Sequence, residues 1–302
     1  MKRNRLGTSD LYVSEIGLGC MSLGTEETKA ASIIREALQL GVNFFDTADL
    51  YDAGRNEELV GRALRHCRGD VIIATKVGNR RVPRQDGWVW DPSKAYIKSA
   101  VKDSLRRLET DYIDLYQLHG GTIDDPIEET IEAFEELKQE GWIRFYGISS
   151  IRPNVIREYV RRSGIASVMS QYSMLDRRPE EETLPLLADN GIGLIARGPL
   201  AGGLLTEAGD GKTGRDYLDY GADELPALRR QLQELAGDAR PLGQAAIRYV
   251  LGDPAVSVAL PGASSAEQLR RNVSAAECAP LSAEERAAFQ AATKANRYTL
   301  HT

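Results

Sequence analysis

The chain has 302 residues and a formal charge of −6; 27% of its residues are charged, 42% are hydrophobic, and 28 are glycine and 12 proline. This is ordinary globular composition, which excludes fibrous and disordered chains, and the length admits two domains or a single α/β barrel of ~250 residues. Lys and Arg total 38 against 44 Asp and Glu with no long basic block, so no nucleic-acid partner is expected.

The densest basic stretch, Arg157, Arg161 and Arg162, has helical spacing and reads as a solvated face. Cys20, Cys67 and Cys278 lie far apart, which fits neither a disulfide framework nor a metal site. The N-terminal MKRNRLGTSD leads into no apolar signal region, and no uncharged apolar run reaches the ~18 residues of a membrane span. The expectation is a soluble cytoplasmic protein with no membrane partner and no metal. Asn272-Val273-Ser274 then matches a glycosylation sequon by chance.

Short β-branched runs alternate with helical patterns along the chain, the signature of βα units around a parallel sheet. The opening KRNRLGTSDLYVSEIGLG sets a Gly-Thr-Ser-Asp turn between alternating segments and predicts a short hairpin that plugs a barrel floor. Strands are then expected over Ile16 to Met21, Asn43 to Ala48, Val71 to Val77, Tyr112 to His119, Ile143 to Ser149, Ser167 to Tyr172, Gly193 to Gly198 and Ser257 to Pro261. After the third, Asp91-Pro92-Ser93 supplies a cap, and Ile97, Val101, Leu105 and Leu108 form an apolar helical stripe. After the fourth, Ile127, Ile131, Phe134 and Leu137 do the same with acids between them. The connection from Gly202 to Leu242, with its loop over 203–242, carries GDGKTG and a helix predicted from Asp223 to Leu235. It is too long for a simple link and reads as a lid or binding element. Together these predict an α/β fold: a (β/α)8 TIM barrel with an N-terminal β-hairpin and a long loop after strand 7, one domain over 1–302. A doubly wound open sheet is the structural rival.

In a barrel, function gathers at the C-terminal ends of the strands. There the second strand and its loop offer Asp46, Asp49 and Tyr51, the third Lys76, the fourth His119, and the fifth Ser149 and Ser150. A phenol is a poor proton donor at neutral pH unless a cation stabilises its phenolate. Lys76 is placed to be that cation, Asp46 to keep it charged, and His119 to orient a substrate oxygen or relay a proton. Taken singly, each also reads as a packing, rim or capping residue, and Asp49 as a helix cap or turn residue.

The stretches FFDTADLYDAGRNEELVGRALR, IIATKVG, YIDLYQLH, GISS, SQYSMLDRR and LPGASSAEQLRRN, in this order and at these spacings, resemble the aldo-keto reductase family, nearest to its bacterial general-stress, YqkF-like branch. The resemblance spans nearly the whole chain. It implies NADPH-dependent reduction of aldehydes or ketones, with NADH possible, and a catalytic tetrad of Asp46, Tyr51, Lys76 and His119. Tyr51 would be the general acid, its pKa lowered by Lys76 and Asp46. It further implies cofactor contacts at Ser149, Ser150, Gln171, Arg197, Gly198, Pro199, Leu200, Gly202, Gly262, Ser264, Gln268 and Asn272.

The chain departs from the family at Ser150, where Asn is common, and at Arg197, which replaces an aromatic that stacks on the nicotinamide. A cation there disfavours the oxidised, cationic ring and predicts a bias toward reduced cofactor. Ser264 stands where Arg or Lys is frequent and Arg271 where Glu is, so Arg270 or Arg271 is expected to compensate. Lys212 is expected over the pyrophosphate if its loop folds across the cofactor. Met21, Leu50, Trp88, Trp90, Tyr217 and Tyr220 are the candidates for an apolar pocket wall. The expected partner is a small-molecule carbonyl compound and the expected assembly a monomer or weak homo-oligomer. An NADP(H)-binding regulatory subunit on the same scaffold is the alternative. A lyase or isomerase forming a Schiff base at Lys76 is a third reading.

Overall fold

The computed structural model describes residues 1–82, 87–237 and 240–302. The chain opens with β1 (Arg3–Arg5) antiparallel to β2 (Tyr12–Ser14), joined by the anticipated Gly-Thr-Ser-Asp turn. Leu6, Leu11 and Val13 from this hairpin are buried against Phe44, Ile72, Leu115, Met169, Ile195 and Val258, so the hairpin closes one end of the barrel interior.

Eight parallel strands follow: β3 (Leu18–Gly19), β4 (Phe44–Asp46), β5 (Ile72–Val77), then, past the β6 (Asn79–Arg81) and β7 (Trp88–Trp90) hairpin, β8 (Ile113–Leu118), β9 (Ile143–Ser149), β10 (Ser167–Gln171), β11 (Gly193–Arg197) and β12 (Val256–Leu260). Their spatial order is their chain order, and bridges from Ile16 to Ala259 and Gly19 to Gly262 bring the last strand back to the first. The barrel closes, which disposes of the open-sheet rival. The first strand is shorter than its sequence pattern because only Leu18 and Gly19 pair with β4, while the residues before them meet β12 singly.

Helices α1 (Glu27–Gln39), α2 (Arg55–Leu64), α3 (Lys94–Leu108), α4 (Ile127–Gln139), α5 (Pro153–Arg162), α6 (Thr183–Asp189), α7 (Leu225–Ala236), α8 (Leu242–Leu251), α9 (Ala266–Val273) and α10 (Ala283–Ala292) lie outside. Their buried stripes are those the spacing anticipates. Ile97, Val101, Leu105 and Leu108 of α3 are buried beneath a Ser93 cap that accepts from the Tyr96 amide; on α4, which has no side-chain cap, Ile127, Phe134 and Leu137 are buried and Ile131 is partly buried beside them. Each such side chain contributes roughly 1.5–3 kcal/mol by leaving water. The helix expected at Asp223 to Leu235 forms as α7; Asp238 and Ala239, which follow it in the long connection, lie outside the described residues. The basic stretch on α5 is a solvated face, its arginines paired with Glu158 and Glu182.

Two-residue alternation divides each strand between interior and helix layer. Phe44, Ile72, Ala74, Leu115, Met169 and Ile195 point inward, whereas Phe45, Ile73, Val77, Tyr116 and Leu118 face the helices. Continuing the inward set to the open end reaches Asp46, Lys76, Gln117 and Arg197, and the fold thereby gathers charge at one rim.

Candidate active site

At that rim Lys76 Nζ donates to Asp46 Oδ2 at 2.6 Å, to the Thr47 carbonyl at 2.7 Å and to the Tyr51 hydroxyl at 3.3 Å. Gln117 Nε2 donates to the other Asp46 oxygen at 3.4 Å, and the Tyr51 and His119 rings meet edge to face with centroids 5.9 Å apart. Lys76 is wholly buried and Asp46 nearly so. Tyr51 is carried by a tight loop in which Asp52, Ala53 and Gly54 successively take φ of 47°, 61° and 90°. Two non-glycine residues in the left-handed region store backbone strain next to the phenol, as is common where a side chain must be held in one place.

Burial sets the electrostatics. It acts against the Lys76 ammonium, but Asp46 and Tyr51 outweigh it and hold the lysine pKa above its usual value. For Tyr51, burial raises the phenol pKa, and the lowering by Lys76 does not overcome it. This corrects the expected downward shift: Tyr51 is held firmly protonated. His119 is pushed down to about 3 by burial, then by Lys76 and Arg197, so its imidazole is neutral at physiological pH, and its Nδ1 is buried without a partner. Asp49 is pushed up to about 7 by burial and by Glu57 against the pull of Arg107, and its Oδ1 is buried unpaired. Asp49 stands in the turn after β4, half-buried, as a turn residue rather than a helix cap.

A cavity of about 1200 Å³ opens over these residues and continues along the ends of β9 to β12 to the start of α9. Met21, Leu50, Ile151, Leu218 and Leu300 supply apolar wall, and Ser149, Ser150, Arg197, Gly198, Pro199, Leu200, Gly202, Gly262, Ser264, Gln268 and Asn272 line its length. Arg197 Nη1 donates to Gln171 Oε1 at 3.2 Å and has no carboxylate within ion-pair distance among the described residues. Lys212 reaches back to the Gly202 carbonyl at 2.9 Å, so the long connection folds over the cavity. At the far end, Ser265 caps α9, the Ser264 amide and hydroxyl both donate to Gln268 Oε1, and Arg271 is held by Glu267. A long groove with a helix N-terminus and cations at one end and a proton donor at the other fits an extended dinucleotide.

The profile of the Aldo/keto reductase family matches residues 15–294. The chain belongs to that family. It is 58% identical to the uncharacterized oxidoreductase YqkF of Bacillus subtilis over all of this chain and 99% of that one, and 33% identical to the NADH-specific methylglyoxal reductase of Escherichia coli over 91% and 93%. Among solved structures, aldo-keto reductase AKR11C1 from Bacillus halodurans in its holo form matches with a TM-score of 0.94 at 59% identity, covering 100% of this chain and 99% of that one. The protein is thus an NAD(P)H-dependent oxidoreductase.

In this aldo-keto reductase, Asp46, Tyr51, Lys76 and His119 come together as their strand positions anticipate. The pocket candidates divide. Met21 and Leu50 line the cavity, but Trp88, Trp90 and Tyr217 do not, and Tyr220 is buried beneath the tail with its hydroxyl accepting from the Lys294 amide. Trp88 is exposed on the outer hairpin. The Trp90 indole lies across Gly78 and Gly120, where a Cβ on Gly78 would come within 2.5 Å of the ring, and its Nε1 donates to Asp125. Trp90 therefore fastens one loop to the next. Tyr217 stands behind Gln171, at 3.3 Å from its amide.

Three features escaped the sequence reading. Gln117 lies two residues before His119 on the same inward stripe, which alternation alone would have flagged. The tail residues Arg297 to His301 line the cavity with Arg152, a contact between chain regions too distant for any local pattern. Asn56 and Glu57 on α2 grip the strands behind the tetrad; their signal was two polar residues placed where the apolar face of an amphipathic helix was due.

Proposed function

We propose that this aldo-keto reductase reduces uncharged aldehydes or ketones to alcohols with NADPH, Tyr51 acting as general acid. The observation that carries this reading is the buried Asp46–Lys76–Tyr51 chain opening into an apolar-walled cavity beside a neutral histidine. A bound reduced nicotinamide supplies the hydride. Everything else is work for the chain: His119, neutral because burial suppresses its protonation, carries an N–H to orient the carbonyl oxygen. Tyr51 donates its hydroxyl proton to the nascent alkoxide, and the adjacent Lys76 ammonium stabilises the phenolate left behind. Asp46 keeps that ammonium charged in a site that would otherwise neutralise it.

The residues that would hold the cofactor are Ser149, Ser150 and Arg197 toward the barrel axis, with Gln171, which does not line the cavity itself, bonded to Arg197 behind it, Gly198 to Gly202 and Lys212 along the groove, and Gly262, Ser264, Gln268 and Asn272 at the end. Arg271, exposed beside Ser264, is the cation we assign to the adenosine phosphate, in place of the one lacking at Ser264. NADH is the second reading, since the Escherichia coli relative is named NADH-specific. Arg197, without a carboxylate to neutralise it, favours the reduced over the cationic oxidised ring. We read residues 1–302 as one domain working in the cytoplasm on a small-molecule carbonyl compound, as a monomer or weak homo-oligomer. Among the described residues no helix is long and apolar enough to cross a membrane, and the relatives are named as oxidoreductases, which favours an enzyme over a regulatory subunit.

The test follows NADPH oxidation with an activated aromatic aldehyde. Tyr51→Phe is expected to lose about 10²–10⁴ of the rate, the range for a general acid, while still binding NADPH. An undiminished rate would overturn the assignment.

A further inference from the structure

The inward residues of β4 and β5 are Asp46 and Lys76; by alternation their neighbours Thr47 and Thr75 point outward, into the helix layer. Two successive residues of α2 receive them. Thr47 donates its hydroxyl to Asn56 Oδ1 at 2.7 Å, and Thr75 donates to Glu57 Oε1 at 2.6 Å. Asn56 also donates to the Cys20 carbonyl at 2.9 Å.

Glu57 is the more demanding of the two. Its side chain is 0% exposed, so its charge must be compensated inside the protein, and its second oxygen accepts from Arg107 Nε of α3 at 2.6 Å. Arg107 is also the residue that covers the Tyr51 loop: a Cβ on Gly54, the left-handed residue that ends that loop, would stand 2.7 Å from Arg107 Cδ. Glu57 therefore has one hand on the strand that carries Lys76 and the other on the arginine that lies against the loop carrying Tyr51. A buried ionic contact so placed contributes little net stability when compared with apolar packing, and its use is to fix one arrangement among several. We propose that Glu57, through Thr75 and Arg107, is a positioning residue that sets the 3.3 Å contact between Lys76 and Tyr51.

It touches neither cavity nor reacting atoms; Glu57, Thr75 and Arg107 are all absent from the cavity wall. The charged groups that face it are Arg107 and, in the adjoining loop, Asp49, with Asp103 beyond on the arginine's far side. This inference rests on the proposed role of Tyr51, and its test separates the two.

Glu57→Gln keeps an acceptor for Thr75 and removes the charge that holds Arg107, while Thr75→Val removes the strand contact and Thr75→Ser restores it. In Glu57→Gln and Thr75→Val, kcat with the aromatic aldehyde is expected to fall roughly tenfold, the scale of a sub-ångström misplacement, with NADPH affinity within about twofold. Thr75→Ser is expected to recover the rate. Independently of turnover, ultraviolet difference titration against Tyr51→Phe in the cofactor-free protein should show the Tyr51 phenol titrating at higher pH in Glu57→Gln, because its cation has withdrawn. Combining Glu57→Gln with Tyr51→Phe should add no further loss. The inference is overturned if a folded Thr75→Val protein keeps both its kcat and its phenol titration, or if Glu57→Gln costs as much in the Tyr51→Phe background. Should Tyr51→Phe itself keep the full rate, the general-acid reading falls instead, and the phenol titration still decides whether Glu57 positions Lys76.

Discussion

The two ends of the cavity are built on different principles. At the chemical end, Asp46, Lys76 and Gln117 are buried in strands, hydrogen-bonded to one another, and locked from behind by α2. At the end proposed for the nucleotide, Ser264, Gln268 and Arg271 sit on a loop and the first turns of a helix, satisfied by each other or by Glu267. The first arrangement needs no rearrangement to act. If the second holds the nucleotide as proposed, it exchanges internal bonds for cofactor bonds, and part of the binding free energy goes into breaking them. Stabilising an alkoxide and a phenolate demands dipoles and charges that are already oriented, whereas a nucleotide grip tolerates adjustment.

The contrast breaks most severely at Lys76. Lys76→Met removes the cation and leaves Asp46 buried without a counter-ion, held only by the Gln117 amide; aldehyde reduction is expected to fall by about 10²–10⁴, with NADPH affinity little changed, as measured by turnover and fluorescence titration. Loss of affinity in proportion to rate would mean that the chemical end also holds the cofactor.

A second measurement sharpens it through pH. Asp49 has its folded pKa raised to about 7, so the folded state retains a proton that the unfolded chain has shed. Its contribution to stability is therefore present below pH ~4 and lost as pH rises to ~7, a change on the order of 4 kcal/mol at one pKa unit per 1.36 kcal/mol. His119 acts in the opposite sense. Its folded pKa, depressed to about 3, means that only the unfolded state takes up a proton below pH ~6.5, so stability is lost as pH falls toward ~3. In the window they share the two offset each other. Asp49→Asn should raise the Tm at pH 8 by more than at pH 4 and expose the His119 slope; equal gains at both pH values would show that Asp49 titrates normally.

At the nucleotide end the expected effects are smaller. Arg197→Tyr should bring the affinities for oxidised and reduced cofactor closer, by several-fold, because a neutral ring replaces an unpaired cation. Arg271→Ala should weaken NADPH binding by up to about tenfold and leave NADH binding unaltered, the scale of one charge-assisted contact. Equal losses for both nucleotides would place the phosphate elsewhere, with Arg270, held by Glu36, the next candidate.

What could be read from the residues alone divides along the same line. The eight strands, the plugging hairpin and the apolar helix stripes follow from short-range periodicity, because a strand or helix declares its buried face every second or every third to fourth residue. Asp46, Lys76 and His119 stand at or just past strand ends, with Tyr51 in the loop after β4, and the barrel's connectivity brings such positions to one rim, while their reading as a tetrad came from the family resemblance. The direction of the Tyr51 pKa was not legible, since it depends on how much water the assembled rim excludes, and burial proved larger than the pull of Lys76. Trp90 looked like pocket wall from its loop position, and only the packing of its indole across Gly78 and Gly120 removed it. The bond from Glu57 to Thr75 and Arg107, and the lining of the cavity by residues near 300, join segments far apart in sequence. Periodicity carries no information across such distances, and these contacts were decided when the barrel closed and its helices packed around it.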